Sequence, residues 1–399
     1  MGYVLVEKGK IVAVSSDSIE NTGSVEIEGM GKMLFPGCFD PHVHFRDPGF
    51  TYKEDFHTGS LAAVSAGITS VFDMPNTNPP VFTVENLEQK RKIAESKSVC
   101  NYGLFFGAGE KNVEEIKKAK NVPGVKLYLN STTGNLKMNN ETVWRDVFQL
   151  GKKVVLHAEG ETFFRAVEIW KEEEFPCELH LCHASLRSEI DFVREMKKNP
   201  QAKGKISVEV CPHHLLLTHA DQEKYGAICC MKPLLAMKED LIALWEGVSD
   251  GTIDFFATDH APHTLDEKKA SDELGQTPIY GVPGVETFFP LLFTQFQQRN
   301  LSFQHLANMT SLSAKTIYHV QDKKGLIEVG FDADIFMFNP SVKTNVEPQK
   351  FFSKSPWSPF DRWDITGKVE KTFVGGRLVF DQGKIIDFES RGNELRFLN

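Results

Sequence analysis

The sequence predicts an α/β protein: a (β/α)8 TIM barrel with a small discontinuous β domain formed from both termini. Three observations predict it. Short apolar runs alternate with charged, helically spaced runs through the middle of the chain. Both ends are β-rich, and little between them resembles them. Polar residues able to do chemistry stand at the ends of several apolar runs, where such a barrel carries its site.

The N-terminal stretch YVLVEKGKIVAV (3–14) is two β-rich runs broken by Glu7-Lys8-Gly9-Lys10, a hairpin pattern. A second β-rich stretch, Val25 to Leu34, leads to Pro36-Gly37. The C-terminal end repeats this character in residues 325–339 and 369–386, with Gly375-Gly376 as a turn. Residues 1–35 and 325–399 are therefore expected to form the small domain, and 36–324 the barrel. The eight strand-like runs are 35–45, 68–76, 102–109, 124–130, 153–159, 179–185, 205–214 and 253–262. Helical spacing and solvated charged faces mark 83–98, 113–120, 140–150, 161–174 and 188–198 between them. An open doubly wound sheet is the alternative arrangement. The polar residues 264–280 predict a long loop over the active face.

Bulk properties exclude several classes. A chain of 399 residues buries a large core, and its 41% hydrophobic and 25% charged content is that of an ordinary globular protein. The net charge of −9 and the lack of a basic stripe argue against a nucleic-acid surface. No apolar run reaches membrane-span length, and Met1 to Glu7 lacks the form of a signal peptide. Seven cysteines without repeated spacing predict a reducing cytoplasm rather than a disulfide framework.

The chemistry begins at Asp40-Pro41-His42-Val43-His44-Phe45-Arg46. On an extended segment His42 and His44 share a face, so two imidazoles can hold one metal ion. Arg46 falls on that face and offers a planar fork to a carboxylate. Later runs contribute Lys126, His157, His183 beside Cys182, and Asp259. Each is a polar group in an apolar strand, where burial demands a partner. Singly, each could be a hydrogen-bonded core residue. Five strand runs each ending in a metal-type ligand point to a binuclear site.

The segments DPHVHFRDPG (40–49), AGITSVFDMPNTNPP (66–80), GVKLYLNSTTG (124–134), VLHAE (155–159), LCHAS (181–185), EVCPHHL (209–215), FFATDHAPHT (255–264) and YGVPGVETFFPLLFT (280–294) carry a resemblance. The sequence resembles the dihydroorotases of the amidohydrolase superfamily over nearly its whole length. The likeness is to the carboxylated-lysine type found in the animal multifunctional pyrimidine-synthesis protein. It implies a first zinc on His42, His44 and Asp259 and a second on His157 and His183. It implies that Lys126 bridges both as an N-carboxylate made from its neutral amine and CO2. Asp259 would be the general base and then the general acid in the reversible cyclisation of N-carbamoyl-L-aspartate to L-dihydroorotate. Arg46, Asn76 and His263 match residues that grip the substrate carboxylate. Tyr280 and Gly281 match backbone contacts to the ring, and Thr132 matches a loop contact. Cys182 and Glu209 align with residues that hold a third zinc.

Two positions depart from the pattern. Lys232 stands where relatives carry Arg or Asn, keeping the charge but losing the fork. Ile68 stands where many relatives have a second glycine, a packing difference. The resemblance also carries the expectation of a homodimer, and some relatives associate with a transcarbamoylase. Two competing readings share the scaffold: an allantoinase- or hydantoinase-like cyclic amidohydrolase with the same metal ligands, and a metal-free relative that works by assembly.

Overall fold

The computed structural model describes residues 2–20, 25–131, 136–273, 278–389 and 391–398. Among these, eight parallel strands form the barrel: β1 Cys38–Val43, β2 Ile68–Asp73, β3 Asn101–Leu104 continued by Phe106–Gly107, β4 Val125–Tyr128, β5 Val154–His157, β6 Leu179–Leu181, β7 Ile206–Val210 and β8 Phe255–Phe256. Parallel pairing runs from β1 through to β8. The ring closes just past β8, where His260 bridges Val43 and the His44 N–H donates to the His260 carbonyl at 2.8 Å. Asp40 reinforces that seam by accepting from the Thr258 N–H at 3.0 Å and the Thr258 hydroxyl at 2.6 Å. This closure decides for the barrel over the open sheet.

Every residue of β1, β2, β4, β5, β6 and β7 is buried, as expected of parallel strands covered on both faces. Helices supply the outer cover. Val84–Lys97 starts at Thr83, whose hydroxyl accepts from the Asn86 N–H at 3.1 Å. Arg187–Lys198 turns Ile190, Val193 and Met196 inward at three-residue spacing, and its one buried charge, Glu189, accepts from the Ser185 and Leu186 N–H groups at the helix start.

The antiparallel sheet beside the barrel draws on both ends of the chain. Met33–Pro36 pairs with Ile335–Asn345, which pairs with Asp364–Val374, then Arg377–Asp381, then Lys384–Ile385. The hairpin Tyr3–Glu7 and Lys10–Ser15 packs Ile11 against Ala333 and Ile335. Aromatic rings weld sheet to barrel: Phe289 lies 4.9 Å from Phe35 and 4.7 Å from Phe336, and Phe293 lies 4.5 Å from Phe338. The final residues leave the sheet and strap the N-terminal end of the strands. There the Phe397 ring stacks edge-on to Phe72 at 5.3 Å, beside Tyr318.

Two expectations are corrected. Residues 35–45 are not one strand. Met33–Pro36 belongs to the small sheet and Cys38–Val43 to the barrel, with the break at Gly37. A Cβ at Gly37 would collide with the Thr69 side chain, so the crossing between sheets needs glycine. Residues 264–280 are not a continuous loop, because Leu265–Glu273 is helical. Thr264 and Glu267 exchange hydrogen bonds at 3.2 Å in a capping box that starts this helix. Thr132 lies outside the described residues.

Candidate active site

A cleft opens at the C-terminal ends of the barrel strands, lined by His42, His44, Arg46, Asn76, Tyr128, His157, His183, Lys232, Asp259, Ala261, Tyr280 and Gly281. Strand geometry places the deepest of these. His42 is the last residue but one of β1, Lys126 and Tyr128 share a face of β4, and His157 ends β5. Cys182 and His183 follow β6, Glu209 lies in β7, and Asp259 follows β8. Lys126 is fully buried, and its Nζ donates to Cys182 Sγ at 2.8 Å.

The imidazoles converge. Ring centroids of His42 lie 5.4 Å from both His44 and His183, and His157 lies 4.7 Å from His183. His42 Nε2 and His44 Nε2 stand 3.2 and 3.0 Å from the same Asp259 oxygen. Their other nitrogens are held from behind. His42 Nδ1 lies 2.5 Å from a Glu209 oxygen, and His44 Nδ1 lies 2.6 Å from the Asn76 carboxamide oxygen. With an ion between them and Asp259, both imidazoles would carry a proton on Nδ1 and present a bare Nε2, the arrangement of histidines that ligate a metal.

The charges agree with this. Burial alone would lower the His42 imidazolium, but the Glu209 and Asp259 carboxylates outweigh it and raise it to about 10. Burial pushes Asp259 up, and His42 and His44 overturn that, holding its carboxyl well below the usual range. Burial and nearby cations bring His44 down to about 3. Without an ion, a proton on His42 balances two buried carboxylates. A bound cation can replace that proton. The donor atoms of His42, His44 and Asp259 lie within 4.8 Å of one another, and His183 Nδ1 is buried with no hydrogen-bond partner. The residues thus fit a metal. His180, Cys182 and Glu209 form another such group, although the Glu209 oxygens already accept from His42 and His180.

Three site residues pay a backbone cost. Arg46, His183 and Asp259 have φ of 61°, 38° and 45°, in the left-handed region that side chains disfavour. Arg46 consequently does not continue the strand alternation expected of it. Its guanidinium is buried, with Nε donating to the Pro262 carbonyl at 3.2 Å and Nη2 lying 3.2 Å from His263 Nε2. The neighbouring acids are taken elsewhere: Asp47 pairs with Lys97 at 2.7 Å and Asp55 with Lys354 at 2.6 Å. Among the described residues no carboxylate pairs with Arg46. Asn76 lines the cleft while bonded to His44, and His263 sits behind Arg46 rather than on the cleft wall. Gly281 has φ of 126°, and a Cβ there would stand 2.6 Å from the Ala261 carbonyl oxygen. Lys232 lies 5.0 Å from the centre of the Tyr280 ring.

The amidohydrolase family profile matches residues 33–379, spanning barrel and sheet. The chain belongs to the amidohydrolase family. This amidohydrolase is 32% identical to a dihydroorotase of Methanosarcina acetivorans, over 98% of its own length and 91% of the relative's. It is 33% identical to a dihydroorotase of Geobacillus thermodenitrificans, over 96% and 95%. It is also 33% identical to the multifunctional protein CAD of Squalus acanthias, over 90% of its own length but only 15% of that much longer chain. Among solved structures, L-hydantoinase (dihydropyrimidinase) from Arthrobacter aurescens superposes with a TM-score of 0.90 at 26% identity, covering 99% of this chain and 96% of that one. Dihydropyrimidinase from Brevibacillus agri shares the fold at a TM-score of 0.89 and 22% identity, covering 99% and 95%. No helix among the described residues is long and apolar enough to cross a membrane.

The structure adds residues that sequence reasoning passed over. Tyr128 lines the cleft, and its position two after Lys126 on β4 was the available signal. Lys268 is fully buried and donates to the carbonyls of Cys230 and Ile279 at 2.7 Å and of Gly281 at 3.0 Å, tying together two cleft segments. Lys90 and Asp73 form a fully buried ion pair at 2.5 Å, and Asp73 also accepts from the Phe45 N–H at 2.6 Å. Nothing in the local sequence separates these lysines from surface ones.

Proposed function

We propose that this amidohydrolase is a dihydroorotase, catalysing the reversible cyclisation of N-carbamoyl-L-aspartate to L-dihydroorotate in pyrimidine synthesis. The observation that carries the reading is Arg46: a buried guanidinium beside the metal-type residues that, among the described residues, forms no salt bridge with a carboxylate, although Asp259 and Asp73 act on it from farther off. An acidic substituent on the substrate supplies that charge. The relatives named dihydroorotase support the same choice.

In this reading His42, His44 and Asp259 would hold one zinc and His157 and His183 a second, and Lys126, as its N-carboxylate, would supply anionic oxygens to the ions. The ions, when bound, polarise the ring carbonyl and acidify water. Asp259, held in place by His42 and His44, takes a proton from the attacking water and returns it to the departing ring nitrogen. Arg46 anchors the substrate carboxylate, with Asn76 and His263 beside it. Tyr280 and Gly281 offer backbone groups to the ring. A third ion would use Cys182 and Glu209, in competition with the bonds that Glu209 accepts from His42 and His180. We also read residues 36–324 as the catalytic unit and 1–35 with 325–399 as the small β unit. Seven free, buried cysteines support a cytoplasmic protein. A homodimer, and association with a transcarbamoylase, are further parts of the proposal.

Ultraviolet absorbance follows dihydroorotate breakdown by purified protein, and elemental analysis counts zinc. Turnover with at least two zinc ions per chain is expected. A second reading, a hydantoinase-like enzyme, is favoured by the similarity to the Arthrobacter L-hydantoinase. Faster turnover of hydantoin or dihydrouracil than of dihydroorotate would select it.

A further inference from the structure

Directly after β7 the chain runs Cys211-Pro212-His213-His214, with Cys211 at the start of the short helix Pro212–Leu216. The turn into that helix folds three side chains together, and all three are buried. A donor atom from each of Cys211, His213 and His214 lies within 4.8 Å of the other two. This group shares no residue with His42, His44 and Asp259, or with His180, Cys182 and Glu209.

Hydrogen bonding shows what the two imidazoles have left to offer. His214 Nε2 lies 3.0 Å from the Pro233 carbonyl oxygen. A carbonyl can only accept, so the Nε2 nitrogen carries the proton. The Nδ1 of the same ring is then a bare lone pair, buried and, among the described residues, without a hydrogen-bond partner. His213 Nε2 is buried without one as well. The two ring centroids lie 4.4 Å apart, yet neither of these nitrogens is bonded to the other ring. Burial holds both imidazoliums below their usual range, so both rings are neutral, the form that ligates. Burying such unpaired nitrogens costs free energy unless a positive partner meets them. A ring that donates one N–H to a backbone carbonyl and keeps its other nitrogen bare is how proteins orient a metal-binding histidine.

We propose that Cys211, His213 and His214 bind one thiophilic cation, zinc or copper(I), at a site separate from the catalytic ions. The ligands are the Cys211 sulfur, an imidazole nitrogen of His213 and the Nδ1 of His214. Thiolate and imidazole donors suit both metals. On binding, the Cys211 S–H bond gives way to a sulfur–metal bond and the proton leaves to solvent. With copper(I) the charges of ion and thiolate cancel. With zinc one positive charge remains, and Asp259, Glu209 and Asp40 all act on Cys211 from nearby. A metal on Nδ1 keeps the Nε2–H on Pro233, and so ties the cleft-lining Lys232 next to it to the end of β7. Neither the catalytic ions nor the choice of substrate enters this inference.

The test is anomalous diffraction from crystals of the wild-type protein supplied with excess zinc or, under anaerobic conditions, copper(I). Data on either side of each metal's absorption edge distinguish the two. A peak among Cys211, His213 and His214 is expected with at least one of them. No peak there with either metal overturns the proposal, whatever the catalytic groups hold. That experiment needs no variant, so misfolding of a substituted protein cannot spare it. In solution, elemental analysis after equilibrium dialysis should find Cys211→Ser short of one metal equivalent per chain, and His214→Gln likewise. Cys182→Ser should keep that equivalent. An unchanged metal count in folded Cys211→Ser overturns the site.

Discussion

His44 is held at both ring nitrogens, with Nδ1 2.6 Å from the Asn76 carboxamide oxygen and Nε2 3.0 Å from Asp259. Asn76 is thus tied to the metal-type group as well as to the cleft wall. Asn76→Ala frees the ring to rotate and to change tautomer. Zinc affinity should fall about 10- to 100-fold. Competition with a chromogenic chelator measures it, and wild-type affinity in the variant removes Asn76 from the metal's support.

Arg46 should act on binding more than on chemistry. Arg46→Met is expected to raise the KM for dihydroorotate by about 100-fold while zinc content stays constant. Arg46→Lys keeps the charge without the planar fork and should recover only part of this. Equal losses for a ring lacking the carboxylate would argue against the anchor.

Asp259 and Lys126 should separate in their effects. Asp259→Asn is expected to retain metal and lose about 10²- to 10⁴-fold in kcat, the usual worth of a general acid–base group. Lys126→Ala is expected to lose metal together with activity. Full turnover in Asp259→Asn would take proton transfer away from that residue.

The Lys90–Asp73 pair predicts a stability effect away from the chemistry. Both side chains are fully buried, so Lys90→Met leaves the Asp73 carboxylate without its paired cation. Unfolding free energy from denaturant titration should fall by about 3–5 kcal/mol. Because Asp73 also holds the Phe45 N–H, Arg46 next to it should lose order as well.

Glu286 predicts a pH dependence. Burial raises its carboxyl to about 8, against the bonds it accepts from the Phe352 and Ser353 N–H groups. In the unfolded chain it ionises near 4.5, while the folded protein keeps the proton to about 8. The unfolded state therefore binds fewer protons between these values, and this group's contribution to stability falls as pH rises across that window. Melting temperatures of wild type and Glu286→Gln should diverge with rising pH, the wild type losing more. Parallel curves would show that Glu286 does not titrate this way.

The sequence by itself determined the barrel and singled out the polar residues that meet at its strand ends. Strand and helix periods are local, set by alternation and by caps such as Thr83, and survive without knowledge of the fold. The histidines, Lys126 and Asp259 were legible because a polar residue in an apolar strand is conspicuous wherever it lands. The break at Gly37 was not, since it depends on Thr69 of a neighbouring strand. The helix Leu265–Glu273 was obscured by its polar composition, although its Thr264–Glu267 box was present. Only tertiary structure decided the partners: Asn76 for His44, Glu209 for His42, Lys53 for His263, and the Pro262 carbonyl with His263 for Arg46. Hydrogen bonds and charge pairs are made between residues up to hundreds of positions apart, and their direction is set by which donors and acceptors burial forces together.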